Sequence, residues 1–214
     1  MTVSAPTTYE QPYWANGLAV VGVDEVGRGA LAGPVTVGAV VLAPGVSITG
    51  ARDSKTLSHK QRVALDVTIR SHAQAVATGD ASANEIDMLG LTRALRLAAQ
   101  RALEELAGAF DAILLDGRHD FLEADQPTQL VVKGDASSQS IAAASIVAKV
   151  HRDQLMTAHD AAFPLYGFAS HKGYGSQAHR EALGLYGVCP LHRLSFAPCC
   201  RQEQLSLLPT DLPR

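Results

Sequence analysis

The chain alternates short runs of Val, Ile and Leu with longer stretches whose apolar residues recur every three or four positions. Runs of four to six branched aliphatics closed by glycine predict buried strands, and the longer period predicts helices packed on them. Residues 18–23 read as a first strand and residues 34–42 as a second, with Gly33 and Pro34 marking the turn before it. Ser58 with Gln61 has capping-box form, so a helix is expected to start there and run to about His72. Residues 75–78 suit a short strand. Ser82 and Glu85 repeat the capping box; beyond them Leu91, Leu95, Ala98, Ala102 and Leu106 hold a helical stripe until Gly108. Residues 113–115 and 130–132 read as buried strands. Ile141, Ala144, Ala148 and Leu155 mark a helix face between Ser140 and His159, and residues 176–183 a short later helix. Early strands followed by alternating helices and strands imply a layered α/β domain around a mixed sheet.

Composition narrows this without redirecting it. A chain of 214 residues, 47% hydrophobic and 18% charged, suits one domain with a substantial core. Aromatics are only 5%, so small and branched aliphatics build the interior, and the run Ala142, Ala143, Ala144 permits a helix to lie close on a sheet. No apolar stretch reaches the roughly 20 residues of a membrane span. The N-terminus lacks the basic start and apolar segment of a secretory signal, so a cytoplasmic protein is expected; a monomer is expected as well. Three cysteines, all in the last quarter, argue against a disulfide framework. A net charge of −3 weighs against a general basic coat for nucleic acid. A local patch would have to come from Arg28, Lys55, Lys60, Arg62, Lys149, Arg152, Lys172, Arg180 and Arg193, which otherwise read as ordinary solvated charges.

Candidate chemistry sits where apolar runs end. Asp24 and Glu25 close V-V-G-V-D-E, Asp116 closes A-I-L-L-D, and Asp135 follows V-V-K-G. A carboxylate at the end of a buried strand is costly unless something positive meets it. Several acids converging on neighbouring strand ends therefore suggest a divalent cation held by hard oxygen ligands, Mg²⁺ or Mn²⁺, since no His or Cys stands among them. Adjacent residues on an ideal strand face opposite ways. The chain is thus expected to leave regular structure at Glu25, helped by Gly27 and Gly29.

In chain order, V-D-E-V-G-R-G followed by A-G-P, D-S-K-T-L-S, E-I-D, L-L-D-G, V-V-K-G-D, I-A-A-A-S-I-V-A-K-V-H-R-D, Y-G-F-A-S-H-K-G-Y-G and H-R-L-S-F-A-P resemble the bacterial ribonuclease HII family, the type 2 ribonucleases H. The resemblance runs in register from about residue 18 to 198. It implies a ribonuclease H-like α/β fold, a central five-stranded mixed sheet flanked by helices with a small helical C-terminal region. The implied organisation is a flexible segment 1–17, a catalytic domain 18–198 and a tail 199–214. The implied activity is metal-dependent hydrolysis of the RNA strand of RNA/DNA hybrids, with incision 5′ of single ribonucleotides embedded in duplex DNA. That chemistry leaves 3′-hydroxyl and 5′-phosphate ends and serves ribonucleotide excision and RNA primer removal.

On this resemblance Asp24, Glu25, Asp116 and Asp135 are the catalytic acids and metal ligands, with Asp24 between two ions. Gly27, Arg28 and Gly29 would sense the ribose 2′-hydroxyl, which separates RNA from DNA. Tyr174 matches a tyrosine that stacks on the sugar beyond the junction, and Lys55, Lys149 and Ser145 match positions that hold DNA phosphates. Ser176 stands where many relatives carry Thr. Leu194 interrupts a basic pair, removing one contact. Another ribonuclease H-like nuclease, a resolvase or integrase, would use the acids but leave G-R-G and H-K-G-Y-G idle. A binding-only module would have no use for four intact acids.

Two features remain. Cys189, His192, Cys199 and Cys200 admit a zinc reading, but they lack a C-x-x-C and the vicinal pair chelates poorly, so buried or idle thiols are expected. In the tail, Gln204, Leu205, Leu207 and Leu208 resemble the short peptide by which bacterial replication and repair proteins bind the sliding clamp. The alternative is that these leucines pack on the body as a final turn.

Overall fold

The computed structural model describes residues 4–200. Five strands form one sheet: β1 (Val20–Val26), β2 (Val35–Val41), β3 (Ala75–Ala81), β4 (Ala112–Asp116) and β5 (Thr128–Val131). Their order is β3-β2-β1-β4-β5. The first three pair antiparallel, while β1, β4 and β5 run parallel. This is the mixed sheet expected from the alternation of elements, and it places the carboxyl ends of β1 and β4 side by side. The helices are α1 (Gln11–Ala15), α2 (His59–His72), α3 (Ala83–Leu89), α4 (Leu91–Glu105), α5 (Gly134–Ser137), α6 (Gln139–Ala162), α7 (Phe168–His171) and α8 (Gln177–Tyr186). No described helix is long and apolar enough to cross a membrane.

Local sequence sets the helix ends. Ser58 and Gln61 form a reciprocal capping box at α2, as do Ser82 and Glu85 at α3. Gly90, at φ 77°, separates α3 from α4 and admits a backbone turn that a side chain would strain. The stripe of α4 buries Ala94, Leu95, Ala98 and Ala102 against one face of the sheet, on Val21, Val23, Val37, Ile113 and Leu115. On the other face α6 buries Ile141, Ala143, Ala144 and Val147 against residues such as Val20, Val40 and Leu114. Each fully buried aliphatic of this size contributes about 1.5–3 kcal/mol.

Glycine on the strands sets how close the helices come. A Cβ on Gly22 would lie 2.2 Å from the Ser140 carbonyl carbon, and one on Gly38 2.4 Å from the Ala144 carbonyl oxygen. The α6 backbone therefore rests directly on β1 and β2.

Three expectations change. The first strand stays paired with β2 through Val26, so the chain does not leave regular structure at Glu25; only the β4 pairing stops, at Val23. The strand expected at 130–132 is a sheet edge rather than a buried strand. Leu130 and Val132 are exposed and only Val131 is buried, because among the described residues no further strand pairs with β5 on its outer side. The segment before residue 18, read as flexible, is docked from residue 4 onward. The Ala5 amide donates to the Ala51 carbonyl at 2.8 Å, and Glu10 is fully buried. One Glu10 carboxylate oxygen accepts from the Ser138 hydroxyl at 2.6 Å and the Ser140 amide at 2.8 Å, at the N-terminus of α6, where a negative charge is favoured.

Gly38→Ala is expected to destabilise the protein by about 1–3 kcal/mol, the usual cost of overpacking. Gly184→Ala, in α8 with open space around it, should be neutral or stabilising by up to about 1 kcal/mol. Urea denaturation of the two variants against the parent checks both, and equal midpoints for the pair would contradict the packing account.

Candidate active site

Asp24 and Asp116 reach the same end of the sheet from adjacent parallel strands. Alternation along β1 puts Asp24 on the face covered by α6, beside Gly38 of β2. Because α6 rests on Gly38, the next residue, Ser145, arrives at Asp24 and hydrogen-bonds its carboxylate. Ser145 is itself buried and lies 2.9 Å from the Ser54 hydroxyl. It supports the acid from beneath and presents no open surface to a phosphate. One Asp116 carboxylate oxygen accepts the Gly134 amide at 2.7 Å, which ties β4 to the turn carrying Asp135. Glu25 falls on the opposite face of β1, where Oε1 receives Arg28 at 2.9 Å and Oε2 is buried with no hydrogen-bond partner.

Electrostatics makes this a site in need of positive charge. Burial raises the Asp24 pKa well above its usual 3.8, and Glu25 and Asp116 push it further; hydrogen bonds from Ser145 and the Glu25 amide oppose. Burial, then Asp53 and Asp116, raise Asp135, with Lys55 opposing. Burial pulls the Lys55 ammonium down, but Asp135, Asp53, Asp24 and Asp116 outweigh it and hold its pKa above the usual value. The Lys55 Nζ lies 4.0 Å from Asp135. Asp53 and Ser54, which sequence reasoning passed over, thus belong to this neighbourhood; their position beside Lys55 in D-S-K was the available signal. Among the described residues no three His, Cys, Asp or Glu side chains already stand at ion-holding distances. Even so, an all-oxygen set with uncompensated charge and an orphan Glu25 oxygen fits a divalent cation in chemistry and sign.

Beside the acids, residues 27–34 form a loop held by two arginines. Arg152 donates to the carbonyls of Pro34 (2.9 Å), Lys172 (2.9 Å) and Ala32 (3.1 Å). Arg193 donates to Gly33 (3.0 Å), Arg28 (2.9 Å) and Pro34 (3.0 Å). Both side chains are fully buried, so they are no part of the basic surface patch considered from the sequence. Burial, then the neighbouring Arg152, pushes Arg193 down to about 9. Each guanidinium substitutes backbone carbonyls for water, which is what lets a buried charge persist without a carboxylate. Gly27, at φ 90°, lies beneath this lattice, and a Cβ there would meet Arg152 at 2.3 Å. Gly29 has nothing within 4 Å of a would-be Cβ.

Tyr174 lies against the same loop, its backbone bridged to Ala30. Its ring centroid is 5.3 Å from the Arg152 guanidinium and 5.8 Å from Lys149 Nζ. Lys149 is also paired with Asp153 at 2.6 Å. Asp87, of the E-I-D motif, accepts from the Leu194 and Ser195 amides at 2.8 and 2.9 Å and anchors the segment that carries Arg193. The zinc reading loses His192, whose ring nitrogens face the Cys189 amide and His179. Burial pushes the Cys199 thiol up to about 11. Gln204, Leu205, Leu207 and Leu208 lie outside the described residues. A cavity of about 200 Å³ adjoins the acids, lined by Arg28, Thr92, Asp116 and Arg118. The groove of about 360 Å³ between α4 and residues 122–126 contains none of them.

Comparison with known proteins gives consistent matches. The family model described as Ribonuclease HII matches residues 21–199. A ribonuclease HII of Thermus thermophilus is 50% identical over 191 residues, covering 88% of this chain and 91% of the relative. Among solved structures, the PCNA:RNase HII complex from Archaeoglobus fulgidus aligns with TM-score 0.70 at 22% identity, over 84% of this chain and 95% of that one. Bst-RNase HIII in complex with Mn²⁺ aligns with TM-score 0.68 at 20% identity, over 89% and 70%. At those identities the two structures speak for the fold.

Folding raises the Asp24 pKa, so the native state binds more protons than the unfolded chain above the usual 3.8. Asp24 therefore imposes no penalty well below that pH and an increasing one as pH rises through the gap. Asp24→Asn should raise stability at pH 7 in chelator by about 0.5–2 kcal/mol, the usual yield of one stabilising change. The gain should vanish at pH 3. Urea denaturation at the two pH values measures it, and a destabilised variant at pH 7 would contradict the charge account.

Proposed function

Because the chain belongs to the ribonuclease HII family, endonucleases that cleave the RNA of RNA/DNA hybrids and single ribonucleotides in duplex DNA, we propose that Asp24, Glu25, Asp116 and Asp135 carry that hydrolysis here. The supporting observation is the buried, uncompensated charge at Asp24 between Glu25 and Asp116. Two divalent ions bound among these oxygens, Mg²⁺ or Mn²⁺, would supply an acidified water and neutralise charge on the attacked phosphate. Asp24 and Asp116 would be held ready by Ser145 and the Gly134 amide. Lys55 balances part of the charge beside Asp135. Attack by water leaves the 2′-hydroxyl as a recognition feature, so the products are a 3′-hydroxyl and a 5′-phosphate.

Recognition falls to the loop. Arg152 and Arg193 consume the carbonyls of residues 28 and 32–34, fixing the backbone at Gly27, Arg28 and Gly29 so that it can meet a ribose edge-on. The open space over Gly29 is where a nucleic-acid backbone would come close. Tyr174, cradled by Arg152 and Lys149, offers its ring to the neighbouring sugar. Outside the described residues, Gln204, Leu205, Leu207 and Leu208 are the proposed anchors for the bacterial sliding clamp. Support comes from the peptide resemblance and from the archaeal relative solved with PCNA.

Asp24→Asn and Asp116→Asn should each lower cleavage of a duplex holding one ribonucleotide by on the order of 10³-fold or more, with duplex binding retained. Gly29→Ala should lose most incision at unchanged stability, whereas Gly27→Ala should lose both. Near-parental turnover by either acid variant in saturating Mg²⁺, or a 2′,3′-cyclic phosphate product, would overturn the reading.

A peptide covering residues 202–209 should bind purified bacterial clamp with a Kd on the order of 1–100 μM. Replacing Leu207 and Leu208 together by Ala should abolish that binding and leave free-enzyme cleavage unchanged. Absence of binding by fluorescence anisotropy would remove the clamp assignment.

A further inference from the structure

The loop at residues 30–32 carries one isolated bridge on each flank: Ala30 pairs with Tyr174, and Ala32 with His192. Two histidines join the flanks from beneath. His192 Nε2 lies 3.1 Å from His179 Nε2, and His179 Nδ1 lies 3.0 Å from the Tyr174 carbonyl oxygen. His192 Nδ1 faces the Cys189 amide at 2.9 Å. Both rings are buried, at 0% and 2% exposure, and pack edge-on or tilted against Phe168.

The backbone partners decide the tautomers. Cys189 presents its amide to His192 Nδ1 at 2.9 Å and its carbonyl oxygen at 3.3 Å; the carbonyl already accepts the His192 amide at 2.9 Å, and the shorter partner is the amide, which only donates, so His192 Nδ1 accepts and its proton sits on Nε2. A carbonyl only accepts, so His179 Nδ1 carries the proton and its Nε2 is bare. The two assignments, made from opposite ends, meet as one Nε2–H donating to one Nε2 lone pair; two like tautomers would place two protons or two lone pairs at 3.1 Å, and the fully reversed pair would set a bare His179 Nδ1 against the Tyr174 carbonyl oxygen. Burial, with His179 beside it, pushes His192 down to about 4, and burial lowers His179, so both rings are neutral at neutral pH. The chain of donation runs from the Cys189 amide through His192 and His179 to the Tyr174 carbonyl. His171, stacked on His179 at 4.4 Å, is a side branch that links the Gly173 amide to the Tyr166 carbonyl.

We propose that His179 and His192 are positioning residues for substrate recognition: their directed hydrogen-bond relay holds Tyr174 in register with the Gly27–Gly29 loop and so sets incision at single ribonucleotides. This rests on the reading of Tyr174 as the residue that stacks on the sugar. The geometry supports a positional role over simple core filling, because the relay ends on the backbone of Tyr174 itself and its other end belongs to the segment that carries Arg193. A uniform RNA/DNA hybrid offers a ribose at every step of the cut strand. A lone ribonucleotide offers one, so misplacement of Tyr174 costs most there.

Nitrogen-15 spectra of histidine-labelled protein at pH 7 should show His179 protonated on Nδ1 and His192 on Nε2; the reverse tautomer at either ring overturns the relay whatever the variants do. His179→Leu should lower kcat/KM for a single-ribonucleotide duplex about tenfold more than for a uniform hybrid, the equivalent of one hydrogen bond. His179→Asn, which keeps a donor near the Nδ1 position, should recover most of that selectivity. His192→Leu should act in the same direction, and stands in if His179→Leu does not fold. In a Tyr174→Ala background His179→Leu should have no further selective effect. Equal losses on both substrates, or effects that add in the double variant, overturn the proposal while leaving Tyr174 in the site. A Tyr174→Ala protein with parental selectivity removes the underlying reading, and the proposal falls with it.

Discussion

The contact between α6 and the bare strand backbone at Gly22 and Gly38 is what the rest of the site depends on. A side chain at either position would lift the helix off the sheet. Lifted, α6 would no longer bring Ser145 to Asp24, Arg152 to the carbonyls of residues 32 and 34, or Lys149 to Tyr174. One helix therefore supplies the support of an acid, the scaffold of the recognition loop and part of the aromatic cradle. Its run of alanines keeps the helix surface flat enough to serve all three.

The molecule concentrates unfavourable electrostatics in two adjoining places and treats them oppositely. At the strand ends, carboxylates are buried together with little relief, a conflict that suits a site meant to take up cations. In the loop beside them, two guanidinium groups are buried and direct their hydrogen bonds to backbone carbonyls in place of a carboxylate partner. The first arrangement leaves charge available to a ligand. The second spends charge on geometry, turning a glycine-rich loop that would otherwise sample many conformations into a fixed surface. Keeping the acids and the arginines apart matters, since a direct ion pair between them would neutralise the site and release the loop.

Much of this was legible in the chain. The capping boxes at Ser58 and Ser82 marked helix starts to the residue, and the stripe of α4 was visible as spacing. The family resemblance also marked out the neighbourhood of the acids. What could not be read was mostly a matter of partners distant in sequence. Arg152 and Arg193 look like surface charges until the loop they serve is folded over them. Glu25 was expected to require an irregular backbone, whereas the strand stays regular and the neighbouring acids simply take opposite faces. Leu130 and Val132 are apolar without being buried, because strand composition does not say which strand ends the sheet. Glu10 carried no motif at all.

The docking of Glu10 has a consequence for the order in which the molecule is made. The residue that closes the α6 N-terminus lies 128 positions before the serine it binds. At roughly 5–20 residues per second, the ribosome delivers Ser138 roughly 6–25 s after Glu10. During that interval the meander of β1, β2 and β3 can pair from near neighbours in sequence. The segment carrying Glu10 must meanwhile stay available, its carboxylate in water, for a helix that does not yet exist. That segment thus emerges before any strand of the sheet and is among the last to find its place.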